Sequence, residues 1–326
     1  MKIPTISAFI MALILGSAHL LSAHEWPERG VTLVTSVPQV LPWSDEPAPQ
    51  SLILKAIEPR LSRELGVPAT LVGKPEGNGV LAANTVADAN PDGYLVGALG
   101  SDSAIIRVIQ GYTPYIWNEF VPVATGWREI YALITLAEAQ ADDLAGLARA
   151  GDRGRFRLGH TGLSPIDAGT LLALEAARTA GFSWTLTKIE RLDPGVLLQD
   201  QADAIVLPLG QFKLHPQLDK FKVVTVFTSE DDAPCAKGLP TLKSQGLNAS
   251  SAPLLAFYVP NQVNWRLQAR LSAAITNSLR QPAVRQRLEA ACLKPYLEDL
   301  EGAGSVMNQE YKRWEELLRL FRFVEP

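Results

Sequence analysis

Residues 71–94 read LVGKPEGNGVLAANTVADANPDGY, and this stretch decides the fold class of the chain. It predicts a strand, a glycine-rich loop, a short helix, and a tight turn into a further strand at residues 95–99. That order places mobile backbone and the N-terminus of a helix at one end of a sheet, where anions and small polar ligands bind. The stretch therefore indicates an α/β protein with a ligand site at one end of a sheet.

The alternation of strand and helix patterns continues on both sides of this stretch. Further strands are predicted at residues 31–37, 69–72, 130–135, 155–159, 184–189, 204–207, 223–227 and 254–259. Helices are predicted at residues 51–65, 142–150, 168–179, 264–280, 283–291 and 305–321. Two α/β series with a late return of the chain imply parallel or mixed sheets with helices on both faces.

The N-terminal segment has the pattern of a secretory signal peptide. Lys2 is followed by a mostly apolar run at residues 6–21, and Ser22 and Ala23 supply small residues at a plausible cleavage point. The run is shorter than the roughly 20 apolar residues that a membrane-spanning helix needs. We therefore expect residues 1–23 to be a signal peptide and the mature chain to be exported.

Composition excludes several classes of function. The chain has 326 residues and a net charge of −4, and no cluster of Lys and Arg interleaves with aromatic residues, so a nucleic-acid partner is not expected. Four histidines and two cysteines leave little material for a metal site, and no cofactor is expected.

Ile166 stands where the last glycine of a Gly-x-Ser-x-Gly nucleophile elbow around Ser164 would be. We therefore do not expect an enzyme.

Several segments, in order along the chain, together resemble one family. They are WPER at 26–29, the 71–94 stretch with its PDGY turn, NEFVPV at 118–123, GLPTL at 238–242 and QPAVRQRL at 281–288. This series resembles the periplasmic solute-binding proteins of tripartite tricarboxylate transporters, the Bug or TctC-like group. The resemblance implies a two-lobed type II periplasmic binding protein fold, in which two mixed sheets flanked by helices are joined by two crossover strands. It places lobe 1 at residues 24–127 and 253–326, and lobe 2 at residues 128–252.

The resemblance also implies a function and a set of candidate ligand-binding residues. It implies a monomeric periplasmic receptor that binds a small carboxylate between the lobes and delivers it to the membrane subunits of a tripartite transporter. Members of the family hold such ligands with backbone N–H groups and hydroxyls at loop-to-helix junctions. The residues that match those positions, with one arginine at the expected hinge, are Gln50, Ser51, Ser101, Arg128, Thr161, Gly162 and Ser164.

Two alternatives stay open for the function. One is a sensor that presents its ligand to a membrane signalling partner, because sensing and transport use the same two-lobed receptor. The other is a diverged receptor whose solute is not a carboxylate. The loop at residues 42–51 lacks the paired glycines of the family, and Glu76 and Asp102 place negative charge near the expected cleft.

Cys235 and Cys292 are the two cysteines of the chain. In an exported protein they either form a disulfide or remain free thiols. A disulfide would close a long loop and add about 4 kcal/mol of stability in the chain-entropy account.

Overall fold

The computed structural model describes residues 26–151, 156–161, 166–228, 234–248 and 252–324. Its strands are β1 (Val31–Thr35), β2 (Ala69–Gly73), β3 (Leu95–Gly100), β4 (Phe120–Glu129), β5 (Tyr131–Leu136), β6 (Arg157–His160), β7 (Thr185–Lys188), β8 (Ala204–Pro208), β9 (Phe221–Val226), β10 (Leu254–Pro260) and β11 (Leu293–Pro295). The α-helices are α1 (Pro49–Leu65), α2 (Val80–Ala87), α3 (Arg107–Ile109), α4 (Leu144–Gly151), α5 (Ala168–Ala180), α6 (Gly195–Leu198), α7 (Leu209–Phe212), α8 (Trp265–Leu279), α9 (Pro282–Ala290) and α10 (Leu300–Leu320).

The strands form two mixed sheets. The first has six strands in the order β11-β4-β10-β3-β1-β2, and the second has five in the order β7-β6-β8-β5-β9. In the first sheet β1 runs parallel to β2 and β3, whereas β10 runs antiparallel to both β3 and β4. In the second, β6 is parallel to β7 and β8, and β5 is antiparallel to β8 and β9. The predicted α/β fold with two mixed sheets flanked by helices is confirmed.

The two sheets are joined where β4 passes into β5. Only Ile130 separates the two strands, and β10 returns beside β4 so that Leu254 pairs with Arg128. On its other side β4 pairs with β11, where Leu293 faces Glu129. The ends of β4, β10 and β11 therefore meet at this junction.

The 71–94 stretch has the predicted structure. Gly77, Asn78 and Gly79 all have left-handed backbone, with φ of +61°, +54° and +84°, conformations that glycine and asparagine tolerate best. Gly79 precedes α2, and a Cβ atom there would lie 2.4 Å from the Cβ of Ser36. This close approach seats α2 against the first sheet, where Ala82, Ala83 and Val86 are fully buried.

Helices that the sequence periodicity predicts supply much of the core beside the sheets. α1 buries Ile53, Leu54, Ile57 and Leu61 on one face of the first sheet, together with Leu271 and Ile275 of α8. α10 buries Met307, Trp314 and Leu318 in the core that also contains residues of β10 and α5. None of the helices in the described ranges combines the length and apolar character required to cross a membrane.

The two cysteines lie beside each other near the junction of β4 and β5. Cys235 is in a short 3₁₀ turn (Pro234–Ala236) and Cys292 lies between α9 and β11. Both are free thiols joined by a side-chain hydrogen bond, which lowers the pKa of Cys235. The disulfide between them stays a prediction.

Candidate functional site

A cavity of about 430 Å³ lies between the two sheets, next to the junction of β4 and β5. On the first-sheet side it is walled by the loops that follow β1, β2 and β3, including Asn78 and Asp102. On the second-sheet side it is walled by residues that follow β6 and β8, including Thr161 and Gln211. Ligands of open α/β sheets bind at the carboxyl ends of the strands, and this cavity is placed accordingly. We refer to it as the cleft.

Three of the seven residues predicted from the sequence line the cleft. They are Gln50, Ser101 and Thr161. Ser101 is almost fully buried, and its hydroxyl donates to the carbonyl of Leu254 (3.2 Å) and accepts from the Leu254 amide (2.9 Å). Ser101 therefore fixes the start of β10 to the end of β3. Gly162 and Ser164 lie outside the described residues.

Ser51 and Arg128 are not among the residues that line the cleft. Ser51 lies in the first turn of α1, and its hydroxyl donates to Gln39 Oε1 (3.1 Å) in the loop that precedes this helix. The Arg128 guanidinium donates to the carbonyl of Ala252 (2.7 Å) and to Glu310 Oε1 (2.9 Å). Its carbon also lies 4.4 Å from the ring centre of Tyr296. Both ends of this guanidinium are therefore engaged at the junction, and a contact between Arg128 and a ligand stays a prediction.

Asp102 connects the two walls of the cleft. It follows β3 on the first-sheet side, and its Oδ1 accepts a hydrogen bond from the backbone N–H of Ala168 (2.9 Å), the first residue of α5 on the second-sheet side. Asp167 caps the same helix, because its Oδ1 accepts from the Thr170 N–H (2.7 Å) and hydroxyl (2.9 Å). Two protein carboxyl groups thus occupy the N-terminus of α5, which attracts negative charge.

A series of hydrogen bonds that begins at Glu129 connects residues that line the cleft. Glu129 Oε1 accepts from Gln50 Nε2 (3.2 Å), and Gln50 Oε1 accepts from Gln211 Nε2 (3.2 Å). The Tyr131 hydroxyl also hydrogen-bonds the Glu129 carboxyl. Gln50 and Gln211 are only 2% and 6% exposed, so these hydrogen bonds join α1, β4 and α7 in a largely buried position.

The carboxyl groups of the cleft repel one another and are poorly solvated. Burial raises the pKa of Asp102 to about 6, with a further contribution from the negative charge of Asp167. Burial raises the pKa of Glu129 to about 7, in spite of the hydrogen bonds from Gln50 and Tyr131. Arg107 offsets part of the effect on Asp102. Desolvation disfavours the charged form of a carboxyl, so both groups are held in an environment that is short of positive charge.

The raised pKa of Glu129 predicts a pH-dependent stability. The folded chain holds this proton more tightly than the unfolded chain, whose glutamate has a pKa near 4.5. Protonated Glu129 therefore contributes stability that is complete below about pH 4.5 and is lost as the pH rises through about 7. We expect unfolding in urea to cost on the order of 2 kcal/mol more at pH 5 than at pH 8 through this group alone.

Glu129→Gln tests that contribution, because it removes this ionisable group and nearly keeps the size of the side chain. The difference in unfolding free energy between pH 5 and pH 8 should be smaller in Glu129→Gln than in the parent chain. An identical pH dependence in the two proteins would mean that Glu129 is not held in a desolvated position.

Four cleft residues were not singled out from the sequence as ligand contacts, namely Glu129, Tyr131, Asp167 and Gln211. Glu129 and Tyr131 flank the junction between the sheets, and Gln211 follows β8 by three residues. Polar residues just after a strand end are a signal that could have found Gln211. Asp167 immediately precedes a strongly helical pattern, where a capping aspartate is expected.

Comparisons with known proteins agree with this architecture. A sequence model of the tripartite tricarboxylate transporter family receptor, TctC, matches residues 53–322. A TctC solute-binding protein from Polaromonas shares 20% identity and a TM-score of 0.69, covering 90% of this chain and 99% of its own. MatC from Rhodopseudomonas palustris, solved with bound malate, shares 21% identity and a TM-score of 0.70, covering 90% and 100%. A second R. palustris protein, solved with adipate, shares 20% identity and a TM-score of 0.73, covering 90% and 98%. A search of curated protein sequences finds no match.

Proposed function

Because the chain belongs to the tripartite tricarboxylate transporter receptor family, we propose that it is a periplasmic receptor that captures a small organic acid in the cleft and delivers it to a tripartite membrane transporter. In this proposal residues 1–23 direct export, residues 24–127 and 253–326 form one lobe, and residues 128–252 form the other. The mature chain acts as a monomer whose lobes close on the solute by bending at the junction of β4 and β5.

The single observation that carries the proposal is the position of the cleft. It lies between two sheets that are joined by adjacent segments of β4 and β10, so a bound solute contacts both lobes and favours their closed arrangement. The family match spans most of both sheets, and relatives with this fold were solved with malate and adipate. A volume of about 430 Å³ suits a solute of that size.

A thermal-unfolding screen tests the proposal. Purified mature chain is heated with mono-, di- and tricarboxylates and with amino acids, and with neutral sugars as the control series. A solute present at 100 times its dissociation constant should add about 2.7 kcal/mol to the stability of the folded chain. We expect at least one organic acid to raise the unfolding temperature in a concentration-dependent way. Stabilisation by neutral solutes alone would contradict the proposal.

A further inference from the structure

We propose that Cys235 and Cys292 form a redox-controlled link between the two sheets, and that their disulfide restrains opening of the cleft. In the reduced state, which this structure shows, the thiols are in contact but the link is not made. The link itself is independent of the solute, whereas its consequence for solute capture and release rests on the proposed function.

The two cysteines belong to different sheets. Cys235 lies in the 3₁₀ turn that follows β9, an edge strand of the second sheet. Cys292 directly precedes β11, an edge strand of the first sheet. The chain passes between the sheets at the junction of β4 and β5 and again before β10. A disulfide between Cys235 and Cys292 would therefore be a third covalent connection between the sheets.

The packing around Cys292 holds its side chain against the second sheet. Its backbone is left-handed, with φ of +56°, just beyond the C-cap of α9, where glycine or asparagine is usual. The side chain is 3% exposed and lies in the same apolar cluster as Leu209 and Phe212 of α7. A Cβ atom on Gly210 would lie 2.0 Å from the carbonyl oxygen of Ala291, so α7 packs directly on the turn before Cys292. An unfavourable backbone at a reactive residue points to a functional use of its side chain.

The thiols meet in an arrangement in which the walls of the cleft are also in contact. Asp102 Oδ1, on the first-sheet wall, accepts from the Ala168 N–H on the second-sheet wall at 2.9 Å. A disulfide removes from the ensemble the conformations in which its two sulfurs are apart. Opening of the cleft moves the two sheets relative to each other, so the disulfide makes opening less favourable.

The surroundings of the pair make Cys235 the reactive thiol. It is half-buried, and both cysteines line an open cavity of about 420 Å³ that is distinct from the cleft. Lys213 Nζ donates to the Cys235 carbonyl. The hydrogen bond from Cys292 and the positive charge of Lys213 lower the pKa of Cys235 against the effect of burial. The hydrogen bond with Cys235 and burial raise the pKa of Cys292. Because the thiolate is the nucleophile, Cys235 attacks first.

The oxidant is a disulfide, R–S–S–R, of a small molecule or of another protein. The Cys235 thiolate attacks one of its sulfurs, the S–S bond of the oxidant breaks, and one RS⁻ leaves a mixed disulfide behind. Cys292 then loses its proton and attacks the Cys235 sulfur, which releases the second RS⁻. The two cysteine thiols are oxidised to one disulfide, and the oxidant is reduced to two thiols that carry the two protons. A dithiol reductant reverses the reaction.

Amide hydrogen exchange measured by NMR tests the inference without a solute. The mature chain is equilibrated with oxidised glutathione or with dithiothreitol. Exchange of the Ala168 N–H reports opening, because its acceptor Asp102 lies on the opposite wall. We expect oxidation to remove both thiols that titrate in the denatured chain, and to slow Ala168 exchange roughly tenfold or more. The Thr170 N–H is the internal control, because its acceptor Asp167 caps the same helix, and its exchange should not change.

Two variants complete the test. Cys235→Ser and Cys292→Ala each keep one thiol and cannot form the link, so Ala168 exchange should be the same after both treatments. The inference would be overturned if the parent chain kept its thiols, or if Ala168 exchanged equally fast in its two redox states. Equal slowing of Ala168 and Thr170 would overturn it too, because it would mean a general stabilisation of α5. None of these outcomes bears on whether the cleft binds an organic acid.

Discussion

Replacing Glu310 with alanine is expected to lower the free energy of unfolding by about 3–5 kcal/mol, because it leaves a buried charge without its partner. Glu310 of α10 binds Arg128 of β4 at 2.9 Å, and the two side chains are only 4% and 15% exposed. Without the carboxylate, the guanidinium retains the carbonyl of Ala252 and the ring of Tyr296. Urea titration of the parent and the variant measures the difference.

Glu315→Ala is the control for this prediction. Glu315 lies on the same helix and binds Arg319 at 3.0 Å, but this pair is one helical turn apart and 33% and 48% exposed. Exposed pairs of this kind contribute about 0.5 kcal/mol. A loss at Glu310 no larger than the loss at Glu315 would show that the Arg128–Glu310 pair does not hold α10 to the junction.

Replacing Gly79 with alanine is expected to destabilise the chain by roughly 2–5 kcal/mol, the sum of a backbone and a packing contribution. About 1–2 kcal/mol comes from a side chain in left-handed backbone, since φ is +84°. A further 1–3 kcal/mol comes from overpacking, because the new Cβ would lie 2.4 Å from the Cβ of Ser36 and 3.1 Å from that of Ser103. Both serines line the cleft, so the loop must also shift there.

Gly77→Ala separates the two contributions in the same loop. Gly77 is also left-handed, with φ of +61°, but its Cβ would meet only Val80 at an ordinary 3.5 Å. It should therefore lose only the backbone contribution of about 1–2 kcal/mol. Unfolding free energies from urea titration give both values. Equal stability of the two alanine variants would contradict this account. It would mean that the close packing of Gly79 against Ser36 does not require glycine at this turn.

The regular elements follow closely from local sequence pattern. Helices α1, α5 and α8 and strands β2 and β3 lie within two residues of their predicted bounds, because apolar periodicity and flanking glycines act locally. No strand is predicted at the position of β4, since Pro122 and Gly126 interrupt its pattern and its pairing with β10 is irregular. β11 has three residues and is defined by its pairing with β4, which no local pattern shows.

The chemistry of the cleft was less predictable than the fold. Ser101 and Thr161 were placed in it through the family resemblance, and both line it. The carboxyl groups were underestimated because their partners are distant in sequence: Asp102 binds the N–H of a residue 66 positions away, and Glu129 binds Gln50 79 positions away. The ion pair of Arg128 with Glu310 could not be predicted for the same reason, because the two residues are 182 positions apart.

The family assignment and the absence of an enzymatic role need no revision. The match over residues 53–322 is to a receptor family, which confirms the resemblance and the prediction that the chain is not an enzyme.

A crystal structure of the mature chain grown with the solute that stabilises it most tests the central claim directly. The account predicts density for one solute molecule in the cleft between the two sheets, in contact with Asp102 on one wall and Thr161 on the other. Ordered solute at any other position, with the cleft free of it, would contradict the account.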